Sequence, residues 1–320
     1  MYLSHRVMPR VVAELEASFD LAVHDSEWPP AREEVLARSA GRDGLLVMAN
    51  DPVDGELLDA AGPQLRIVAN HAVGYDNVDL AAATRRGVLV TNTPGILTAP
   101  TAELTITLVL DLLRRVTEGD RFLRSRTPWI WSPTFMLGTG LAGRTLGIVG
   151  LGRIGREVAR LAEAFGMRVV YSSRSPRPDL PYERLELDEL LATADVVSLH
   201  CSLTPETRHL IDAAALQRMR RDAYLVNTTR GPVVDEAALA AALASGEIAG
   251  AALDVYEREP EVHPDLFGLE NVVLAPHLGS ATDETREAMG MLCVEALRAV
   301  LLEGRSPENA LNPEAWKAPT

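Results

Sequence analysis

The sequence predicts an α/β protein made of two domains, each of them a doubly wound parallel sheet. Short apolar runs alternate with helical patterns along the whole chain, which is typical of βαβ units. The length of 320 residues corresponds to two domains, since one domain takes roughly 150 residues. A glycine-rich turn at residues 147–155 follows an apolar run and opens a helical pattern. These three observations define the predicted fold class.

The first half of the chain contains three predicted strands, at residues 44–48, 65–69 and 87–90. Alanine-rich stretches with scattered charges, at residues 53–61 and 78–86, predict the helices between them. A long helical stretch follows at residues 101–115. The second half contains six more predicted strands, at residues 145–149, 167–172, 194–200, 223–227, 248–253 and 272–275. The final helix is predicted at residues 282–303, with Ser280 or Thr282 as its N-cap.

Charge and composition exclude several classes of function. The chain has 31 basic and 45 acidic residues, a net charge of −14, which argues against nucleic acid or an anionic membrane as the main partner. The two cysteines, Cys201 and Cys293, match no metal-ligand spacing and suit a reducing compartment. The N-terminus shows no signal-peptide pattern, and charges interrupt the apolar stretch at residues 104–116. We therefore expect a cytoplasmic protein without a metal.

The glycine-rich turn predicts a dinucleotide-binding site in a Rossmann-like domain. Gly150 permits a tight turn, Gly152 lets the backbone approach a pyrophosphate, and Gly155 lets the helix pack closely on the strand. The N-terminus of the following helix offers free N–H groups to the phosphates. The alternative is a glycine-rich βα turn that binds no ligand.

The end of the next strand predicts a preference for NADP(H) over NAD(H). NAD sites usually carry Asp or Glu at this place, but here the strand ends at Ser173 and Arg174, with Arg177 close behind. A carboxylate would repel a 2′-phosphate, whereas an arginine pairs with it. The alternative is that the arginines are ordinary exposed surface residues.

Three polar clusters follow predicted strands, at residues 227–232, 254–260 and 275–280. Because ligands bind outside the carboxyl ends of parallel strands, we expect these clusters to converge. They supply Arg230, Glu259 and His277: a cation for an anionic substrate, a carboxylate that orients an imidazole, and a proton donor near neutral pH. Taken singly, each residue has an ordinary interpretation, as a surface ion pair, an acidic loop residue or a helix cap. Weaker candidates are His71, His200 and His209.

One internal similarity links the two halves of the chain. Residues 70–74 (Asn-His-Ala-Val-Gly) resemble residues 227–231 (Asn-Thr-Thr-Arg-Gly), and both follow a strand and precede an alanine-rich helix. Two similar βα domains that face each other would explain it, and coincidence is the alternative.

With these motifs the chain resembles the D-isomer-specific 2-hydroxyacid dehydrogenase family, and most closely its glyoxylate/hydroxypyruvate reductase branch. The resemblance covers nearly the whole chain and is strongest at residues 147–155, 227–235, 252–260 and 276–282. It implies that Arg230 binds the substrate carboxylate and polarises the keto oxygen. It also implies that His277 is the acid–base residue and that Glu259, rather than Glu257, is its partner.

The resemblance also implies the remaining site residues. Further cofactor-binding positions, beside Gly150, Gly152, Gly155, Ser173, Arg174 and Arg177, are Arg153, Ile154, Cys201, Ser202, Thr207, Thr228, Thr229 and Asp254. Substrate-binding positions are the backbone of Val73 and Gly74, together with Arg230, His277 and Ser280. Gly95 stands where relatives commonly have Asp.

The resemblance implies a discontinuous substrate domain of flavodoxin-like type, residues 1–97 and 283–320, and an NAD(P)-binding Rossmann domain, residues 98–282, with a cleft between them. A homodimer is implied, with the loop that contains Trp129 and Trp131 reaching the neighbouring subunit. The absence of a C-terminal regulatory domain argues against the long phosphoglycerate dehydrogenases.

The expected activity is hydride transfer from NADPH to glyoxylate or hydroxypyruvate, which gives the D-2-hydroxy acid. One alternative is a broad NAD-dependent D-2-hydroxyacid or D-lactate dehydrogenase. Another is a nucleotide-sensing scaffold like the C-terminal-binding-protein corepressors, which are members of the same family and act mainly by binding. Turnover of small 2-keto acids distinguishes the enzymes from the scaffold.

Overall fold

The computed structural model describes residues 1–316 and forms two compact units. Unit 1 comprises residues 1–97 and 281 onward, and unit 2 comprises residues 98–280. The predicted substrate domain also included residues 317–320, which lie outside the described residues. No helix within residues 1–316 is long and apolar enough to cross a membrane.

The secondary structure alternates between strands and helices in both units. The strands are β1 (Tyr2–Leu3), β2 (Ala22–Val23), β3 (Gly44–Val47), β4 (Ile67–Asn70), β5 (Leu89–Thr91), β6 (Thr145–Val149), β7 (Arg168–Ser172), β8 (Glu183–Arg184), β9 (Val196–Leu199), β10 (Tyr224–Asn227), β11 (Gly250–Leu253) and β12 (Val272–Leu274). The helices are α1 (Pro9–Glu16), α2 (Arg32–Ser39), α3 (Gly55–Ala61), α4 (Leu80–Arg85), α5 (Thr98–Arg114), α6 (Val116–Arg124), α7 (Arg153–Ala164), α8 (Leu187–Thr193), α9 (Ala213–Arg218), α10 (Glu236–Ser245) and α11 (Asp283–Leu301).

Each unit is built on one parallel sheet, as the alternation predicts. The sheet of unit 1 has the order β2-β1-β3-β4-β5, and that of unit 2 the order β12-β11-β10-β9-β6-β7-β8. Apolar cores cover both faces of each sheet, because parallel strands are packed under helices on both sides. The central strands are therefore short uninterrupted apolar runs, which is the pattern that made them predictable. The predicted fold class is confirmed.

Three strands were missed, and the reason is their length. β1, β2 and β8 contain two residues each, too few to show a period. β8 adds a seventh strand where six were expected, and both of its residues are exposed. Strands this short are defined by the neighbour with which they pair rather than by their own sequence.

The final helix, α11, belongs to unit 1 and packs with α1 on one face of its sheet. Of the two N-cap candidates, Thr282 is the cap, since its hydroxyl accepts the N–H of Thr285 at 3.2 Å. Buried residues Met289, Cys293 and Leu297 lie on one face of the helix, as their spacing predicts.

Candidate active site

The three predicted catalytic residues lie on loops at one edge of the sheet of unit 2. Arg230 follows β10, Glu259 follows β11 and His277 follows β12. These strands are adjacent in the sheet and run parallel. Their carboxyl ends therefore point the same way, so the sheet itself brings three distant parts of the sequence to one place.

His277 and Glu259 form a direct hydrogen-bonded pair. Nδ1 of His277 is 2.7 Å from Oε2 of Glu259, and Oε1 of Glu259 accepts the N–H of Tyr256 at 3.0 Å. Burial opposes ionisation of Glu259, but the hydrogen bond and charge of His277, the Tyr256 N–H and the charge of Arg230 together place its pKa below the ordinary glutamate value. An ionised carboxylate has no proton to give, so Nδ1 is the donor. This leaves Nε2 as the nitrogen that can transfer a proton to a substrate.

Arg230 belongs to the same cluster. Its positive charge acts on the Glu259 carboxylate, and its Nη1 donates to the carbonyl of Thr229 at 2.9 Å. The side-chain amide of Asn227 donates to the carbonyl of Arg230 at 2.9 Å, which fixes the loop. Position 231 requires glycine because the backbone of Tyr256 passes so close that a Cβ would lie 1.8 Å from its carbonyl carbon. The loops that carry Arg230 and Glu259 thus touch each other.

Asp254 holds the loop that carries His277. Its carbonyl accepts the N–H of His277 at 2.9 Å, and its two carboxylate oxygens accept those of Leu278 and Gly279 at 2.6 and 2.9 Å. Three successive N–H groups can converge in this way because His277 adopts a left-handed backbone, with φ of 55°. Burial raises the pKa of Asp254, and the two N–H groups of the loop partly oppose that rise. The residue was predicted at the cofactor, and its side chain positions the His277 loop.

Two buried threonines beneath the site were missed by the sequence analysis. Thr101 donates from its hydroxyl to the carbonyl of Gly279 at 2.9 Å, directly before Ser280. The hydroxyls of Thr105 and Thr228 are 2.8 Å apart. The only signal in the sequence is that Thr101 and Thr105 are four residues apart, which places two polar side chains on the same face of helix α5. This helix therefore supports both the histidine loop and the loop before Arg230.

The glycine loop has the geometry that a dinucleotide needs. Gly150 has φ of 97°, and a Cβ there would lie 2.6 Å from the backbone nitrogen of Cys201. A Cβ at Gly155 would lie 2.5 Å from the carbonyl oxygen of Gly150, whereas one at Gly152 meets no atom within 4 Å. Gly152 is the N-cap of α7 and offers no side-chain cap. Open space in front of uncapped N–H groups fits the pyrophosphate of a nicotinamide dinucleotide.

The first residues of α7 and the end of β7 flank this loop. Arg153 is exposed and Ile154 packs partly against the core. The hydroxyl of Ser173 donates to the carbonyl of Ser175 at 2.6 Å. Arg174 is exposed, and Nε of Arg177 is buried without a hydrogen-bond partner among residues 1–316.

The loop after β9 lies between the glycine loop and the arginine loop. The hydroxyl of Thr229 donates to the carbonyl of Cys201 at 2.6 Å, and that of Thr207 donates to the carbonyl of Ser202 at 2.8 Å. The charge of Arg174 acts on the thiol of Cys201, whose pKa burial raises to about 11. Cys201 therefore lies beside Thr229 and within the influence of Arg174, and its thiol is protonated at neutral pH.

The three weaker histidine candidates have other environments. His71 is buried and His200 is half-buried, and desolvation lowers their pKa values to about 4 and about 3, so both are neutral at pH 7. Nε2 of His209 is 2.5 Å from Oε1 of Glu257. Glu257 is thus the partner of His209, while Glu259 is the partner of His277. Residues 1–316 contain no group of three or more His, Cys, Asp or Glu that could bind a metal.

Val73 and Gly74 lie in unit 1, on the loop after β4. The carbonyl of Val73 accepts the amide of Asn92 at 2.8 Å, and that of Gly74 accepts the amide of Asn70 at 2.9 Å. Asn70 thus fixes its loop much as Asn227 fixes the loop of Arg230. The internal similarity between residues 70–74 and 227–231 has this physical counterpart.

Comparison with known proteins shows the family to which this chain belongs. The model of the D-isomer specific 2-hydroxyacid dehydrogenase NAD-binding domain matches residues 106–279. A glyoxylate reductase of Korarchaeum cryptofilum is 47% identical over 324 residues, which cover 99% of this chain and 97% of that one. One of Aeropyrum pernix is 46% identical over 327 residues, with 99% and 97% covered. The chain belongs to the D-isomer-specific 2-hydroxyacid dehydrogenase family.

It is an NAD(P)-dependent dehydrogenase of that family, and solved structures agree. A protein of Thermus thermophilus, 46% identical, superposes with a TM-score of 0.92 and covers 97% of this chain and 99% of its own. An NADPH-dependent glyoxylate/hydroxypyruvate reductase of Sinorhizobium meliloti, solved with NADP and malonate, is 36% identical with a TM-score of 0.87. The alignment covers 100% of this chain and 98% of that one.

Proposed function

We propose that this protein is a glyoxylate/hydroxypyruvate reductase that uses NADPH to convert a small 2-keto acid to the D-2-hydroxy acid. The observation that carries the proposal is the 2.7 Å pair of His277 with Glu259, beside Arg230 and at the same sheet edge as the glycine loop. The names of the relatives, glyoxylate reductases at 46–47% identity, support the choice of substrate.

Each residue of the cluster has one task in this proposal. Arg230 binds the substrate carboxylate and polarises the keto oxygen, since its planar guanidinium pairs with two oxygens at once. His277 donates a proton from Nε2 to the keto oxygen, while Glu259 keeps the proton on Nδ1 and the ring in place. The reduced nicotinamide, when bound, supplies the hydride that the keto carbon receives.

The remaining substrate contacts are proposed from the same resemblance. The N–H groups of Val73 and Gly74 donate to no acceptor within residues 1–316, so they can bind a carboxylate oxygen. Ser280 follows the Gly279 carbonyl that Thr101 fixes and would contact the substrate beside His277. Unit 1 then serves as the substrate domain and unit 2 as the nucleotide domain.

The preference for NADPH rests on the charge at the end of β7. No carboxylate follows this strand directly, and Arg174 forms no ion pair within the described part of the chain. A hydrogen bond to a charged group contributes about 1.5–3 kcal/mol, which corresponds to roughly ten- to hundredfold selectivity for the 2′-phosphate.

Replacement of the positive charge at the end of β7 by a negative one should reverse the preference for NADPH over NADH. The double variant Ser173→Asp/Arg174→Ala is expected to lower kcat/KM for NADPH and raise it for NADH, because an acid binds the free ribose hydroxyls and repels a phosphate. Arg160→Ala, which removes an exposed arginine paired with Glu157 on α7, is the matched control. An unchanged ratio of the two efficiencies in the double variant would show that these positions do not read the phosphate.

The activity itself is tested with a matrix of keto acids against both cofactors, monitored by loss of the absorbance of the reduced nicotinamide. We expect the highest kcat/KM for glyoxylate or hydroxypyruvate with NADPH. Faster turnover of pyruvate with NADH would identify the D-lactate dehydrogenase alternative. Tight nucleotide binding with negligible turnover would identify the scaffold.

A homodimer is also proposed, from an apolar surface on unit 2. Trp129, Ile130 and Trp131 are consecutive in one loop and 51–81% exposed, and Trp129 stacks on Phe135, which is also exposed. Contiguous exposed aromatic and aliphatic side chains mark protein interfaces. Light scattering should give twice the mass of one chain, and Trp131→Glu should lower it toward the monomer. A monomeric mass for the unaltered protein would exclude the dimer.

A further inference from the structure

The residue that orients His277 lies on an exposed turn. The N–H of Glu261 donates to the carbonyl of Arg258 at 2.9 Å, which closes a turn of four residues with Glu259 and Pro260 at its tip. All four residues are exposed, and the side chain of Glu259 is 33% exposed. An exposed turn has few packed neighbours to fix it. Apart from its own hydrogen bond with the N–H of Tyr256, the position of Glu259 therefore depends on what fixes the base of this turn.

A single buried carboxylate binds the base of the turn on both sides. Glu236, the first residue of α10, is 4% exposed. Its Oε1 accepts the N–H of Glu257, and its Oε2 accepts the N–H of His263 at 3.2 Å. These two residues flank the turn, one before it and one after it. The N–H of Glu236 in return donates to Oε2 of Glu257 at 3.3 Å.

Glu236 is buried beside a second carboxylate, that of Glu257. Burial raises the pKa of its carboxyl group, the N–H groups of Glu257 and His263 lower it, and the negative charge of Glu257 raises it. The Glu257 carboxylate also contacts His209, whose Nε2 lies 2.5 Å from it and whose Nδ1 lies 4.0 Å from Asp235. Burying a carboxylate beside another costs free energy that an apolar side chain would not. What the carboxylate provides is a fixed location for two backbone N–H groups.

The peptide between Tyr256 and Glu257 also restricts the space available to the loop that carries Arg230. Gly231 lies so close to the peptide between Tyr256 and Glu257 that a Cβ would be 2.4 Å from the nitrogen of Glu257. The N–H of Glu257 is the one that Glu236 accepts. This peptide is therefore held from two sides, by its contact with the arginine loop and by the carboxylate of Glu236.

We propose that Glu236 is a positioning residue for the reaction: by binding both sides of the 258–261 turn, it fixes the place at which Glu259 meets His277. The inference rests on the proposed function, in which His277 is the acid. Neither the substrate nor the cofactor needs to touch Glu236 for this effect, since it acts through Glu259.

The first test is the substitution Glu236→Gln, which keeps the shape but places an NH₂ group against one of the two N–H donors. We expect kcat for glyoxylate reduction to fall by about tenfold, with KM for glyoxylate and the Kd for NADPH changed by less than about twofold. Glu236→Asp keeps the charge but shortens the reach, and should give a smaller loss of the same kind. If the Glu236→Gln variant does not fold, the Glu236→Asp variant provides the comparison of kcat instead. Glu189→Gln, an exposed glutamate in the first turn of α8, is the control and should leave kcat unchanged.

The second test is a double-mutant cycle between Glu236→Gln, or Glu236→Asp, and Glu259→Gln. If Glu236 acts through Glu259, the double variant should be no slower than Glu259→Gln alone, within about twofold. Losses that multiply, or unchanged kcat in both Glu236 variants, would overturn the inference. Full turnover in Glu259→Gln itself would instead overturn the acid–base assignment of the proposed function, so the two failures are distinguishable.

Discussion

Replacement of His277 by alanine is expected to lower kcat for keto acid reduction by a factor of about a hundred or more. The methyl group cannot give a proton to the developing alkoxide, and general acid catalysis by a positioned histidine contributes roughly 10²–10⁴-fold. A hundredfold loss corresponds to about 2.7 kcal/mol of transition-state stabilisation. Steady-state oxidation of NADPH with glyoxylate measures it.

The chain contains a matched control for this substitution. His24 in unit 1 also forms a pair with a glutamate, with Nδ1 at 2.9 Å from Oε1 of Glu34. His24→Ala therefore removes the same kind of pair outside the proposed site, and turnover should stay within about twofold of normal. Near-normal turnover in His277→Ala would remove its assignment as the acid.

Replacement of Arg230 is expected to have the second large effect. Arg230→Lys keeps a positive charge but loses the flat arrangement of donors that matches a carboxylate. Lysine can still donate one of the two charge-assisted hydrogen bonds, so about 1.5–3 kcal/mol is lost. We therefore expect kcat/KM for glyoxylate to fall by about ten- to hundredfold, with KM raised and kcat lowered, because Arg230 both binds the carboxylate and polarises the keto oxygen.

Arg221→Lys is the control for this substitution, because Arg221 is exposed and its Nε donates to the carbonyl of Gly246 at 3.4 Å, outside the proposed site. Thermal unfolding of both variants shows whether the loop is intact. An Arg230→Lys variant with normal kcat/KM and normal stability would mean that another cation binds the substrate.

Local sequence patterns predicted the parts of the site that depend on local geometry. Gly150 needs a positive φ, and Gly155 needs contact with the strand beneath it. Both requirements exist within a few residues of chain, so the spacing of glycines reveals them. The strands β10, β11 and β12 were predicted for the same reason, and with them the common edge of Arg230, Glu259 and His277.

The parts that were missed depend on contacts between distant residues. The sequence does not show that Asp254 points at the N–H groups of Leu278 and Gly279, 24 and 25 positions away. Nor does it show that Glu236 binds the turn of Glu259. A carboxylate after a strand is visible in the sequence, but the backbone N–H groups that it accepts are known only from the folded chain.

The most direct measurement is a crystal structure of the protein with NADP and oxalate, an unreactive mimic of glyoxylate. We expect the pyrophosphate at Gly150–Gly152, one oxalate carboxylate on the guanidinium of Arg230, and an oxygen of the other within about 3 Å of Nε2 of His277. Oxalate bound away from Arg230, or an imidazole of His277 that faces solvent while Glu259 pairs elsewhere, would show that these residues do not form the active site.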